Sequence, residues 1–312
     1  MTRNTFEILY NKLKPTFKNC YVGRSKNYSL KYGLYMTIWK LANRNSFREI
    51  SDRFGVAQGS AYRIFIKCVT LIANLKSKVI RFPRTATSQR KLIEEFEKIR
   101  CRPFPNTIGC IDGMHISISK PLKDPISFYN RKGFYSILVQ GIVDSKMKFS
   151  DAFVGYPGSC HDAAMWNDSP IKKAITSGII SIPPENHLIG DGAYSLQMYM
   201  MTPFKDNGHL TEKETRYNTA LSSTRVLVKQ AFGILKKKWR MLHHLELHNL
   251  SLAKTIIMAA IVLHNIVIDH EGVDENDTSR INTENIICTT TSSFPNQEAS
   301  NKRNIITNLI CA

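Results

Sequence analysis

Two aspartates stand at the ends of short apolar runs, in Asn106-Thr-Ile-Gly-Cys-Ile-Asp112-Gly-Met-His115 and in His187-Leu-Ile-Gly-Asp191-Gly-Ala-Tyr194. Each run has the length and composition of a buried strand and closes in Asp-Gly. Carboxylates delivered from two separate strands to one sheet edge make a site for a hard divalent cation. Mg²⁺ takes oxygen ligands, commonly one or two carboxylates together with substrate phosphate. Paired ions about 3.5–4 Å apart clamp the attacking and leaving oxygens in phosphodiester cleavage. Taken singly, each Asp-Gly is equally a turn signal.

The elements that must position these residues follow from periodicity. Residues 1–30 are polar and basic and predict a loosely held lead-in. Residues 34–80 carry a helical pattern, and a charged helix follows over 90–99. Pro103 and Pro105 then close the helical part. From 106 to 156 the period changes to that of strands, at 106–111, 114–119, about 136–143 and about 148–155, with Lys146 in a tight turn and Asp144 as a turn residue. Ser159 and Asp162 have the spacing of a capping box opening a helix. A strand at 187–190, a helix from about 216 to 241 and another at 251–270 follow. Residues 272–312 are rich in Thr, Ser and Asn and read as a polar, disordered tail. Strands followed by mixed elements and long helices argue for α/β (mixed α+β) layers around one sheet.

Further stretches extend the pattern: Gly155-Tyr-Pro-Gly-Ser-Cys-His161-Asp162, Tyr217-Asn218 leading into Ser222-Ser-Thr-Arg225, Arg225-Val-Leu-Val-Lys229-Gln-Ala-Phe-Gly233, and Val262-Leu-His264-Asn265-Ile266. With the two Asp-Gly segments, these make the chain resemble the PIF/Harbinger superfamily of DDE transposases and the Harbinger-derived nuclease family, from about residue 30 to about 270. The resemblance implies an RNase H-like DDE nuclease domain at 106–271, using Mg²⁺ or Mn²⁺. It places Asp112 on the first strand and Asp191 after the fourth, both as metal ligands. It also implies duplex DNA as substrate, a Myb-like DNA-binding partner protein and a nuclear location, with the cytoplasm also open. In that family the third acid is a Glu two residues before Ala-Phe-Gly. Here that position is Lys229, an ammonium with no lone pair. No Asp or Glu occurs between Arg216 and Leu245 to replace it.

Two placements of Lys229 are open: an ion pair between Asp112 and Asp191, or a position elsewhere with one metal still on the two aspartates. Both predict impaired cleavage. Asp162 is the one acid from another element that stands as a candidate substitute, although its capping role suffices to explain it. His115 and His161 either orient phosphate or are ordinary hydrogen-bonded residues. His264-Asn265 reads as a hydrogen-bonded core pair. The run Lys236-Lys-Lys-Trp-Arg240 is a backbone-tracking patch, a nuclear-import patch, or a solvated helix face with Trp239 turned inward.

Charge adds a second theme. The 312-residue chain carries a formal net charge of +18, with 43% hydrophobic and 22% charged residues. Residues 1–105 hold 22 Lys and Arg against 6 Asp and Glu, so +16 of the balance lies in one third of the chain. Such asymmetry points to a polyanion partner. Within it, Ser46-Phe-Arg-Glu49 has the capping-box pattern, Gly55 suits a left-handed helix end, and Ala61 and Ile64 give the next helix an apolar face. Residues 31–105 therefore read as a helical module with a helix-turn-helix. Its second helix would offer Gln58, Tyr62 and Arg63 to base edges, and Arg48, Arg53 and Lys67 to phosphates. A plain helical hairpin packed on the second domain has the same pattern. Seven scattered cysteines without a paired motif fit a reduced, intracellular compartment. The one long apolar run, 252–268, contains Lys254, His264 and Asn265 and reads as a buried helix with no membrane span. If the chemistry is lost, the remaining readings are a non-enzymatic DNA-binding or regulatory protein, or an interaction scaffold.

Overall fold

A computed structural model describes residues 1–17, 28–99, 104–273 and 296–312. Five strands form one sheet in the order β3-β2-β1-β4-β5. β1 (Thr107–Ser117), β2 (Ser136–Val143) and β3 (Phe149–Pro157) run as an antiparallel meander, and β4 (His187–Ile189) and β5 (Met200–Met201) add in parallel beside β1. Every residue of β2 is buried, as expected of a central strand covered on both faces. The expectation of two strands at 106–111 and 114–119 is corrected. Asp112 and Gly113 lie inside one continuous ladder, opposite Gly141 and Gln140 of β2. The Asp-Gly pair here is strand interior, and it makes no turn.

Helices cover both faces. On one side Ile108, Ile111, Ile142 and Leu188 pack with Trp166, Ile171 and Ile175 of the short helices α8 (Asp162–Asp168) and α9 (Pro170–Thr176). On the other lie α10 (Glu212–Lys238) and α11 (Leu250–Glu271), with the helices that precede the sheet in sequence. These are α1 (Arg3–Leu13), α2 (Leu30–Ala42), α3 (Phe47–Phe54), α4 (Gln58–Ala73), α5 (Lys76–Val79) and α6 (Ala86–Glu97), the last placing Phe96 in this cluster and Ile93 against the other. A one-turn helix, α7 (Pro125–Phe128), sits between β1 and β2. α11 is long and apolar enough to cross a membrane by length and composition. In this fold it is a core helix, packed on α4, α5 and β3 with an unbroken buried run from Ala259 to Ile268.

Three sequence expectations need correction. Residues 3–13 are not a loose lead-in: α1 buries Phe6, Leu9 and Leu13, spaced three and four apart, and Phe6 stacks on Tyr35 at 4.2 Å between ring centroids. The stretch 18–27 of that lead-in lies outside the described residues. At the other end, the disordered reading fails over the last helix, α12 (Gln297–Cys311). There Ala299, Lys302 and Ile306 are buried, the Arg303 guanidinium lies 3.9 Å over the Phe204 ring, and the Lys302 ammonium donates to the carbonyls of Asn186 (2.8 Å) and Met198 (2.6 Å). An amphipathic repeat with few large apolar residues docks through these polar contacts, which composition conceals. Residues 274–295 of that tail lie outside the described residues. Finally, α8 begins at Asp162 with His161 as its cap residue, and the proposed Ser159 capping box does not form.

Candidate metal centre

Asp112 lies mid-β1, and alternation puts it on the same face as Cys110, Met114 and Ile116, the face covered by α10. Its neighbour Gly113 faces the other way. A Cβ on Gly113 would meet Asp162 Oδ1 at 2.0 Å, so the missing side chain is the cradle that admits the Asp162 carboxylate from the start of α8. Asp191 follows β4 directly, beside β1, and its Oδ1 accepts from the Ala193 amide at 3.0 Å. One carboxylate oxygen from each of Asp112, Asp162 and Asp191 lies within 4.8 Å of the others. Three different elements thus converge their acids on one point.

α10 supplies the opposing charge. Residues 225 and 229 are one turn apart on one helix face. Of the two placements open for Lys229, the one between Asp112 and Asp191 is not found: Arg225 occupies that position. Its Nη1 is 3.3 Å from Asp112 Oδ2 and 3.9 Å from Asp191 Oδ2, with the Arg225 side chain 4% exposed. Lys229 is half-buried one turn on. It is near enough to favour ionisation of Asp112, and among the described residues the ion pairs of Asp112 and Asp191 are made by Arg225. The backbone of α10 is fixed here, since Thr224 Oγ1 accepts from the Phe104 amide at 3.2 Å and Leu227, Val228 and Ala231 are buried.

One guanidinium does not neutralise three carboxylates. Burial pushes Asp112 up to about 6, and Asp191 adds to the rise, while Arg225, the Gly113 amide and Lys229 oppose it. Asp162 is pushed up to about 7, first by burial and then by repulsion from Asp112 and Asp191. Tyr194, 3% exposed and in the field of all three acids, has a buried hydroxyl with no partner among the described residues, and its ionisation is strongly opposed. The cluster therefore has surplus negative charge and an unsatisfied polar atom beside it.

A divalent cation fits these features. All donors are hard carboxylate oxygens. Ligands on opposite sides of one ion at about 2.0–2.6 Å are themselves about 4–5 Å apart, which the observed spacing matches. Burial with excess charge is what a bound cation relieves.

The other residues singled out in the sequence lie apart. His115 Nδ1 bonds the Ser136 hydroxyl at 3.0 Å, and His161 contacts Arg131; neither joins the three-carboxylate cluster. Asp144 is a turn residue, its Oδ1 accepting from the amides of Lys146 and Lys148, each at 2.9 Å. Trp239 is buried, and the Lys236 ammonium donates to the His115 carbonyl at 2.9 Å. Far in sequence from the acids, the Ser46–Glu49 capping box forms and Gly55 takes φ 59° at the end of α3. Ala61, Ile64, Phe65 and Cys68 form the buried face of α4, while Arg48, Arg53, Gln58, Tyr62 and Arg63 are exposed. Arg53 lies over the Trp39 ring at 4.1 Å, and Lys67 over Phe17 at 5.0 Å.

An antiparallel meander extended by parallel strands, with acids at its centre, fits the RNase H-like fold of DDE endonucleases, and residues 111–265 match the DDE superfamily endonuclease family. The chain is 29% identical over 195 residues to "Putative nuclease HARBI1" of Bos taurus, covering 62% of this chain and 53% of that protein. The Homo sapiens protein of the same name is 28% identical over the same length and coverage. "Protein ALP1-like" of Arabidopsis thaliana is 24% identical over 260 residues, covering 78% of this chain and 62% of its own. No solved structure matches the chain. The DDE endonuclease match and the likeness to the HARBI1 and ALP1-like proteins together support a Harbinger transposase-derived nuclease family for this chain. The chain spans about half the length of the nuclease relatives it matches.

Proposed function

We propose that this protein is a divalent-metal-dependent nuclease acting on duplex DNA, with Asp112, Asp162 and Asp191 holding Mg²⁺ or Mn²⁺ and with turnover held low by the cations of α10. The convergence of three carboxylates on one point, in a domain of the DDE endonuclease family, carries this reading. Held by these three carboxylates, a divalent ion would supply Lewis acidity, lowering the pKa of a water and stabilising charge on phosphate oxygens. The protein's own residues do the rest. β1 fixes Asp112, the Gly113 cradle admits Asp162, and Arg225 holds the Asp112 and Asp191 carboxylates in a fixed relation. Lys229, in place of the family's Glu, adds positive charge on the α10 side and offers no ligand.

The helices α3 and α4 support duplex binding as a helix-turn-helix. Their connection is three residues long, its glycine is left-handed, and Gln58, Tyr62 and Arg63 face outward from the buried side of α4. Read this way, Arg48, Arg53 and Lys67 serve phosphates, the working compartment is the nucleus, and a Myb-like partner would add sequence selectivity. Arg225 between two of the acids favours a second reading as well, a DNA-binding or scaffold protein that no longer cuts.

Nicking of supercoiled DNA with Mg²⁺ or Mn²⁺ separates the two. Slow nicking by the native chain, lost in Asp112→Ala and raised at least about tenfold in Lys229→Glu, is expected of the nuclease. Salt-sensitive duplex binding, with no cleavage by either the native chain or Lys229→Glu, would establish the second reading in its place.

A further inference from the structure

Arg225 has a feature that its family position does not explain. Among the described residues it alone forms ion pairs with two of the three acids, and it is almost wholly buried, on a stretch of helix clamped to Phe104 and to the core. A guanidinium does not give up its proton in proteins. Its charge is therefore a permanent part of the cluster. Three ionised carboxylates and one guanidinium sum to −2, the charge one divalent ion cancels. Two such ions would leave a surplus of +2 in a largely buried site, with Lys229 one turn away adding to it. Uncompensated charge of either sign in such surroundings is costly.

We infer that Arg225 is a built-in counter-cation, bridging Asp112 and Asp191 in place of a second ion, so that the cluster takes a single divalent ion and Arg225 sets how tightly it is held. This rests on the metal-centre reading proposed above. Three geometric facts support it. The guanidinium spans the two acids that come from adjacent strands, whereas Asp162, admitted over Gly113, has no ion pair among the described residues. The buried Tyr194 hydroxyl, three residues after Asp191, has no hydrogen-bond partner among the described residues. The Arg225 side chain is too enclosed for solvent to screen its charge. Asp162 thus presents the unbalanced charge, and Asp112 and Asp191 are already half-balanced from the α10 side.

Titration calorimetry with MnCl₂ on the full chain at pH 7.5 tests this without any cleavage readout. The native protein is expected to bind one Mn²⁺. Arg225→Gln should bind a second ion, or bind the first at least about tenfold more tightly, while Asp162→Asn should weaken it by at least that factor. Arg225→Lys keeps a cation at the position and should retain the native stoichiometry. Two ions in the native protein would overturn the inference and leave the metal centre standing, as would an Arg225→Gln protein that binds like the native one. If neither the native chain nor Arg225→Gln binds Mn²⁺, the metal-centre reading itself falls. Should Arg225→Gln fail to fold by circular dichroism, the native stoichiometry alone decides.

Discussion

Two of the buried polar sites among the described residues are finished in opposite ways. Around Asn265 every group is matched. Its Oδ1 accepts from the Phe149 amide at 2.8 Å, and its Nδ2 donates to the carbonyls of Phe149 (2.7 Å) and Val79 (3.4 Å), while the adjacent His264 Nε2 bonds the Met147 carbonyl at 2.9 Å. Three elements are tied together with no polar atom of that side chain left over. Around Asp112 the accounts do not close: three acids face one guanidinium, and a tyrosine hydroxyl is stranded beside them. Closed networks specify a structure, whereas a site left with surplus charge is built for something that arrives later.

The contrast can be broken at either site. The largest expected effect is on activity. Asp112→Ala should reduce metal-dependent nicking by about 100-fold or more, while thermal denaturation shows that the fold persists. Asn265→Ala should do the reverse, lowering unfolding free energy by about 3 kcal/mol, since it strands the Phe149 and Val79 groups. Denaturant titration reads that loss. If Asn265→Ala were as stable as the native chain, the matched network would not be what holds β3 to α11.

Acid sharpens the comparison through histidines. Burial holds His264 down to about 4 and His187 down to about 3, against an ordinary value near 6.5. The unfolded chain therefore binds more protons than the folded one between about pH 4 and 6.5, so these residues cost stability as pH falls through that window. Each can contribute on the order of 3 kcal/mol across it. Chemical denaturation at pH 7 and pH 5 should show the loss, and His264→Gln should flatten the slope. Asp162 works the other way. Its raised value means that the folded state is penalised as pH rises above about 4, so Asp162→Asn should stabilise the metal-free protein at pH 7.5 by roughly 1–2 kcal/mol. The smallest effect is local: Glu49→Ala removes one arm of the α3 capping box and should lower the midpoint by the equivalent of about 1 kcal/mol.

Much of this was legible in the residues. The convergence of Asp112 and Asp191 follows from two strand-like runs that end alike, and the Ser46–Glu49 box and the His264–Asn265 pair each carry a local signature. What stayed hidden depends on contacts between distant parts of the chain. Gly113 reads as half of a turn, and only the approach of Asp162 shows it to be a gap in a strand. Arg225 closes the Ser222-Ser-Thr-Arg225 stretch, yet nothing in spacing says that it, and not Lys229, pairs with the acids. The α1 pattern of Phe6, Leu9 and Leu13 was present but short, and α12 docks through Lys302 and Arg303, residues that composition assigns to solvent.

The Lys302 contacts also bear on the order in which the molecule is completed. The carbonyls it gathers, Asn186 and Met198, lie just before β4 and in the segment between Asp191 and β5, so a residue 111 positions downstream fastens both sides of the strand that delivers Asp191. A chain emerging from the ribosome has Asp112 and Asp162 exposed long before residue 302 leaves the tunnel. The last of the three carboxylates gains this fastening only when synthesis has passed that point.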